Sequence, residues 1–274
     1  MEVPLFRQQL LQNLKQLDKS QQVTLANTKD TVLPKEHHGS GTTPLIIPCH
    51  NGYTDMVQWM LQNDVDVNQC RDDGVSGLMM ASEEGHTDIV IMLLERNADI
   101  NLCNKNGCSA LFMASQNGHT DIVKLLLKRN SNVDLRNTNG CSPLCMASQI
   151  GHTDIVKLLL ERNSDVNLCY NTGGSPLYMA SENGHTDIVM LLLERNAGID
   201  RCDNDGCSSL FMASQNGHTD IVKLLLEMNP NVDLCRNDGL SPLSIASQQG
   251  HTDIVRLLSE KKSPELIFFD DGLF

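Results

Sequence analysis

The sequence has few aromatic residues, little basic charge and no long apolar run, and each shortage excludes a class of protein. Only 4% of its 274 residues are aromatic, so a core must be built from Leu, Ile, Val, Met and Ala. A net charge of -13 argues against nucleic-acid or anionic-membrane binding, because both need a surplus of Lys and Arg. No apolar run approaches the roughly 18 residues of a membrane-spanning helix, and the N-terminus lacks the basic and apolar blocks of a secretory signal. We therefore expect a cytoplasmic protein without a nucleic-acid or membrane partner.

The motifs of common enzymes and metal sites are also missing. The sequence contains no Gly-x-x-x-x-Gly-Lys-Ser/Thr loop, no His-Glu-x-x-His helix and no Cys-x-x-Cys pair. Histidines that precede an aspartate by two residues recur six times, whereas an active site is a single constellation, so this pattern indicates scaffolding. Cys103 and Cys108 lack a clustered third and fourth metal ligand. The sequence therefore predicts no enzyme activity, no metal and no cofactor.

The ten cysteines recur at regular positions along the sequence, which is not the pattern of a disulfide framework. Most of them fall at two recurring positions, Cys70, Cys103, Cys169, Cys202 and Cys235 at the first, and Cys108, Cys141 and Cys207 at the second. Equivalent residues in stacked helical layers lie about 10 Å apart, which exceeds the limit of about 7 Å between the Cα atoms of a disulfide. We therefore expect free thiols in a reducing compartment.

A repeat of 33 residues occupies most of the chain. Its clearest copy contains the stretch from Gly118 to Leu127. The glycine of this stretch recurs at Gly52, Gly85, Gly118, Gly151, Gly184, Gly217 and Gly250. A fixed period in this range is typical of stacked units that cover each other's apolar surfaces, not of a globule with one closed core.

Each copy predicts a turn followed by two helices. Asn106-Gly107 favours a tight turn, because both residues tolerate a positive φ. Ser109 is placed to cap the first helix, and Gly118 to end it in the left-handed conformation. The second helix starts near His119 and is apolar over so wide an arc that the neighbouring copies must cover it.

These residues resemble the ankyrin repeat. The family's Thr-Pro-Leu-His-x-Ala opening is matched by Thr43-Pro44-Leu45, Ser142-Pro143-Leu144, Ser175-Pro176-Leu177 and Ser241-Pro242-Leu243. Its alanine is matched by Ala81, Ala114, Ala147, Ala180, Ala213 and Ala246, and six copies carry Gly-His-Thr-Asp-Ile-Val. The resemblance covers residues 41 to about 262. It implies an all-α ankyrin-repeat solenoid of stacked antiparallel helix pairs with short β-turn fingers.

Three segments are expected from this pattern. Residues 1–40 form an N-terminal helical cap or eroded repeat plus a linker, with an amphipathic partner-binding or membrane-surface helix as the alternative. Residues 41–262 form seven ankyrin repeats of 33 residues. Residues 263–274 are a C-terminal apolar tail that folds back over the last repeat or serves as a docking motif. In the last repeat Ser259 replaces a leucine, which predicts an outward face that turns polar at the end of the stack.

The chain departs from the family at the histidine of the first helix. The residues in its place are Ile46, Met79, Phe112, Cys145, Tyr178, Phe211 and Ser244. In the family this imidazole bridges adjacent repeats, so here the bridging is expected to be partly apolar or made by other groups. These side chains are expected in the core, and an exposed groove for an apolar ligand is the alternative.

The resemblance also implies that the turn tips and the residues before each helix-ending glycine face one concave side, where ankyrin proteins usually bind other proteins. The candidate partner-binding residues at the tips are Asp72, Asp73, Lys105, Asn106, Thr138, Asn139, Asn171, Thr172, Asn204 and Asp205. Those before the glycines are Glu83, Glu84, Gln116, Asn117, Gln149, Ile150, Glu182, Asn183, Gln215 and Asn216. The first members of each set make an acidic end, and Tyr170, Tyr178 and Ile150 are candidate central anchors.

The leading functional hypothesis is a non-enzymatic protein-protein interaction scaffold. Its partner is expected to be a basic or neutral protein, since the chain itself is acidic, and the scaffold is expected to be a monomer. The alternative is a regulatory or targeting segment of a larger signalling protein or enzyme. In that case residues 1–40 and 263–274 would be domain junctions.

Overall fold

The computed structural model describes residues 43–262, which form a single stack of helix pairs. The first helices of the pairs are α1 (Ile46–Asn51), α3 (Gly77–Glu84), α5 (Ala110–Gln116), α7 (Pro143–Ile150), α9 (Pro176–Asn183), α11 (Ser209–Gln215) and α13 (Pro242–Gln248). The second helices are α2 (Thr54–Gln62), α4 (Thr87–Glu95), α6 (Thr120–Lys128), α8 (Thr153–Glu161), α10 (Thr186–Glu194), α12 (Thr219–Glu227) and α14 (Thr252–Lys262). The predicted all-α solenoid is confirmed. The expected cap at residues 1–40 and the tail at 263–274 lie outside the described residues.

The local signals of each repeat act as the sequence predicts. The Ser109 hydroxyl accepts a hydrogen bond from the Phe112 amide at 3.2 Å and caps α5. Proline occupies the first turn of α7, α9 and α13, where its missing N–H costs no hydrogen bond. Gly118 follows α5 with a φ of +77°, the left-handed conformation that lets the chain turn back into α6.

The return from each second helix begins with a residue that the sequence pattern did not single out. Asn130 follows α6 in the left-handed conformation, with a φ of 60°. The equivalent residues are Asp64, Asn97, Asn163, Asn196 and Asn229. Asparagine and aspartate tolerate this conformation better than other side chains do. The second helix of every inner repeat therefore stops at the same residue.

The main core runs along the stack between the two layers of helices. In the third repeat Leu111 and Ala114 of α5 pack with Ile122, Val123 and Leu126 of α6, and each of these side chains is at most 1% exposed. The small alanine lets the two helices approach closely. Substantial helix–helix contacts join helices of the same repeat or of adjacent repeats. Each repeat is thus covered by its neighbours, as a solenoid requires.

The turns between repeats project as fingers and are joined to one another by backbone hydrogen bonds. Within a finger, the Asn104 carboxamide oxygen accepts from the amides of Asn106 and Cys108 at 3.0 and 2.9 Å. Between fingers, the Lys105 amide donates to the Asp73 carbonyl at 2.8 Å. The same bond joins every following pair of fingers up to Asn237. The fingers consequently form one continuous row.

All ten cysteines lie among the described residues and are free thiols. Those of the first recurring position donate their thiol proton to a carbonyl two residues earlier, as Cys103 does to Asn101 at 3.5 Å. Those of the second position, such as Cys108 and Cys141, are buried under the fingers. Both groups are therefore part of the repeating framework.

Candidate functional site

The finger tips present their side chains in a row along one side of the stack. Nine of the ten candidate residues at the tips are exposed, and Asp73 is half-buried. Two of them also have a structural role, because the carboxamide nitrogens of Asn171 and Asn204 donate to the carbonyls of Thr138 and Asn171 at 2.8 and 3.0 Å. The row is therefore polar and held in place by the fingers themselves.

The residues before each glycine form a second row, at the ends of the first helices. Their backbone carbonyls are tied to the next repeat by the histidine of the Gly-His motif. His152 Nε2 donates to the Gln116 carbonyl at 3.1 Å, and His119 Nε2 donates to that of Glu83 at 2.8 Å. The same bond joins His86, His185, His218 and His251 to the preceding repeats. The backbone of this row is fixed by these bonds. Six of its ten candidate side chains are exposed, and those of Glu83, Gln149, Glu182 and Gln215 are half-buried.

The recurring histidine is therefore the group that bridges the repeats. Apolar contacts or other groups were expected to compensate for the missing first-helix histidine, and both occur. Phe112, Cys145 and Phe211 occupy the family's histidine position and are at most 2% exposed, so the expectation of core packing is confirmed for them. Ser244, in the last repeat, is exposed.

A second apolar cluster lies between the two polar rows. Its buried members are Cys108, Phe112, Cys141, Cys145, Tyr178, Met179, Cys207, Phe211, Met212 and Ile245. Met113 and Met146 from the first helices and Tyr170 and Leu240 from the fingers pack on it and are half-buried. We call the surface made by the two polar rows and these four side chains the groove surface. The methionines were not among the candidate binding residues, although methionine recurs there at the same 33-residue spacing.

The three expected anchors differ in accessibility. Ile150 is 43% exposed, one of the most exposed large apolar side chains among the described residues. Tyr170 is half-buried, and its hydroxyl donates to the Gln149 carboxamide oxygen at 2.6 Å, which joins a finger directly to a first helix. Tyr178 is only 8% exposed, and its hydroxyl donates to Asp203 Oδ2 at 3.0 Å. The core packing expected for the first-helix position is thus confirmed for Tyr178, and its ring is too buried to serve as an accessible anchor.

Acidic residues approach the groove surface at two places. At the N-terminal end, Asp73 pairs with Arg71 at 2.9 Å, and Glu84 Oε1 lies 3.2 Å from His50 Nδ1. Part of the expected acidic end is thus paired within the chain. Towards the middle, burial and the nearby Asp203 carboxylate raise the pKa of Glu182 above its usual value.

No Lys or Arg of the described residues forms a salt bridge with Glu182. The sequence did not reveal the proximity of Glu182 to Asp203, because these residues come from different repeats.

Two thiols below the groove surface, those of Cys108 and Cys207, are unsuited to nucleophilic chemistry. Burial raises the pKa of Cys108 to about 11 and that of Cys207 to about 11, whereas a reactive cysteine needs a lowered pKa. Among residues 43–262 there is no group of three or more His, Cys, Asp or Glu side chains that could hold a metal ion. No helix in the same range is long and apolar enough to cross a membrane.

The stacked helix pairs and their bonded fingers define a helical repeat solenoid. A family model for ankyrin repeats matches residues 9–104, 78–170 and 163–238, and a model for a single ankyrin repeat matches residues 238–266. The chain therefore belongs to the ankyrin repeat family. Ankyrin repeats are generally protein-protein interaction modules, and their fold is typically a non-enzymatic scaffold.

Comparison with solved structures agrees with this assignment. The chain is similar to the human ASB11 ankyrin repeat domain, with a TM-score of 0.71 and 25% sequence identity. The similarity covers 82% of this chain and 100% of that domain. No curated protein sequence matches the chain significantly.

Proposed function

We propose that this protein is a non-enzymatic scaffold that binds a protein partner across the groove surface. The observation that carries the proposal is that apolar side chains reach the groove surface: Met113, Met146 and Tyr170 are half-buried between the two polar rows, and Ile150 is exposed in the second row. An apolar centre with a polar rim is the usual anatomy of a protein-protein interface. Methionine suits such a surface, because its flexible side chain adapts to different partner shapes.

The centre of the proposed site is in the third to fifth repeats. Ile150 ends α7 and is followed directly by Gly151, so it is not required for the packing of the main core. An exposed isoleucine beside a hydrogen-bonded tyrosine is a suitable anchor, since binding energy usually concentrates in a few apolar and aromatic contacts. The other candidate residues of the two rows would provide the polar rim.

The partner is proposed to place a basic side chain near Glu182. This carboxylate is half-buried and close enough to Asp203 for their charges to interact unfavourably. A Lys or Arg of the partner would relieve that repulsion and would also suit the net charge of -13. The rest of the contact surface is of mixed charge, with Lys105 and Arg236 near the fingers, so a neutral segment can occupy it.

Two further properties belong to this proposal. The free state of all ten cysteines favours a reducing, cytoplasmic location. We also propose that the protein acts as a monomer, with the groove surface reserved for a different protein. Sedimentation velocity on the purified chain measures the latter directly, and a stable dimer would contradict it.

The test starts from a partner recovered by affinity purification with the full chain and identified by mass spectrometry. Its affinity is then compared for Ile150→Glu and for the matched control Met190→Glu. Met190 lies on α10 and is 40% exposed, against 43% for Ile150. We expect Ile150→Glu to weaken binding at least tenfold and Met190→Glu to leave it unchanged, with both melting temperatures close to that of the wild type. Equal affinities for the two variants would show that the partner does not bind at the groove surface.

The same binding assay, repeated against pH, examines the role of Glu182. A basic partner side chain lowers the pKa of the carboxyl, so binding releases a proton, and the affinity should rise as the pH increases through the raised pKa of Glu182. Glu182→Gln should bind more weakly and lose this part of the pH dependence. A wild-type profile that matches that of the variant would contradict the contact while leaving the Ile150 result intact.

A further inference from the structure

The last repeat retains the surface of an inner repeat, but no residue within 43–262 covers it. In the inner repeats a Cβ atom added to the motif glycine would meet the next histidine. At Gly217 it would lie 2.7 Å from His251 Cε1. At Gly250, the equivalent residue of the last repeat, no atom of residues 43–262 lies within 4 Å. The finger glycines show the same contrast, since Gly206 is covered by Asn237, whereas no described residue lies within 4 Å of Gly239.

The apolar side chains at this end show the same loss of cover. Leu210 and Val222 of the sixth repeat are 1% and 0% exposed. Their equivalents Leu243 and Val255 are half-buried, although the residue types are identical. We call the surface formed by Leu243, Val255, Gly239 and Gly250 the end face. The expected change to a polar face occurs at Ser259 but does not extend to Leu243 and Val255.

Backbone acceptors at the end face are also without their usual donors. The Gln215 carbonyl accepts from His251 Nε2 at 3.1 Å, and the Asp205 carbonyl accepts from the Asn237 amide at 2.8 Å. The equivalent carbonyls are those of Gln248 and Asp238, which accept no such bond from the described residues. The end face thus combines apolar side chains with backbone acceptors, as every covered face in the stack does.

We propose that residues 263–274 of the same chain cover the end face. The chain continues directly from α14, whose last residue is Lys262. Val255 lies seven residues earlier, about 10.5 Å back along the helix. Residues 263–266 span up to about 13 Å when extended, so Leu266 can reach the level of Val255 if the chain reverses after α14. Pro264 cannot continue the helix, which favours such a reversal.

The composition of this segment suits an apolar surface. Leu266, Ile267, Phe268 and Phe269 are consecutive, and with Phe274 the segment holds half of the six phenylalanines in the chain. A second copy of the protein is a poorer occupant, because Leu45 and Ile46 at the opposite end of the described stack are already buried.

Hydrogen exchange of the full chain tests the proposal from the side of the tail. The double substitution Phe268→Ser/Phe269→Ser should increase the exchange rates of the α13 and α14 amides at least tenfold and leave α1 to α4 unchanged. The polar control Asp270→Ser/Asp271→Ser should match the wild type. Unchanged exchange in the phenylalanine variant would overturn the proposal. Protection that depends on protein concentration would also overturn it, in favour of a second copy.

Limited proteolysis tests the proposal from the side of the end face. Chymotrypsin should cleave after Phe268 and Phe269 at least ten times more slowly in the full chain than in a synthetic peptide of residues 263–274. Val255→Lys should bring the cleavage rate close to that of the peptide, while hydrogen exchange of α1 to α10 shows that the stack remains folded. Equal rates in the wild-type chain and the peptide would overturn the cover. The outcome is independent of any partner at the groove surface.

Discussion

Serine occurs at two positions of the first helices with opposite energetic consequences. In α7 the Ser142 hydroxyl accepts from the Cys145 amide at 3.2 Å and caps the helix. Ser148 in the same helix is fully buried, and its hydroxyl has no hydrogen-bond partner among the described residues. The equivalent hydroxyls that are also buried without a partner are those of Ser82, Ser115, Ser181 and Ser214. A buried hydroxyl without a partner loses its hydration and gains no bond in return.

We expect Ser148→Ala to raise the free energy of unfolding by about 1 kcal/mol, because it removes an unpaired buried hydroxyl. The matched change Ser142→Ala should lower it by about 1 kcal/mol through loss of the helix cap. Urea unfolding followed by circular dichroism measures both. If Ser148→Ala is as destabilising as Ser142→Ala, the Ser148 hydroxyl forms a hydrogen bond in solution.

At the scale of the helices, one contact determines how each repeat sits on the one before. Gly118 ends α5 with a positive φ, and a Cβ atom there would lie 2.8 Å from His152 Cε1. The same histidine donates to the Gln116 carbonyl and begins α8. The glycine is thus needed for its own conformation and for the close approach of the next repeat. The second reason follows only from the stacked arrangement.

Gly118→Ala is expected to cost about 1–2 kcal/mol from the left-handed conformation and more from the contact with His152. The double variant Gly118→Ala/His152→Ala should lose less stability than the sum of the two single variants, because the alanine no longer meets the imidazole. A coupling of about 0.5 kcal/mol or more is expected for residues in contact. Strictly additive losses would show that the imidazole does not pack on the glycine in solution.

At the scale of the whole molecule, stability is distributed along the stack rather than concentrated in one centre. Leu159 and Leu258 occupy the same repeat position and are 0% and 1% exposed. Leu159 has neighbouring repeats on both sides, whereas Leu258 belongs to the last repeat. In such a one-dimensional array the end repeat can unfold while the others remain folded, but a central repeat joins two halves.

Leu159→Ala should therefore cost about 2–5 kcal/mol as a truncation in a packed core and should weaken the coupling between the two halves. Leu258→Ala should instead cause early unfolding of α13 and α14, with a small change in circular dichroism before the main transition. Urea titration combined with hydrogen exchange distinguishes the two cases. Identical single transitions for both variants would indicate one closed core and contradict the solenoid.

The sequence alone determined the period, the helix pairs, the caps and the family. The reason is that every copy packs against its neighbours in the same way and therefore carries the same residue types at the same positions. The glycine that ends each first helix and the serine that begins it were predicted for that reason. Position within a repeat also separated the framework from the two polar rows. That both rows share one binding side, and which of their residues bind a partner, stay predictions.

Only the tertiary structure decided which groups meet across repeats. It left Ile150 exposed and brought Glu182 close to Asp203, although nothing in their spacing distinguishes these outcomes. It also showed that the histidine of one repeat bonds to a carbonyl of the repeat before. The physical reason is that periodicity specifies where each residue lies in its own repeat, whereas burial and charge proximity depend on the residues that neighbouring repeats place against it.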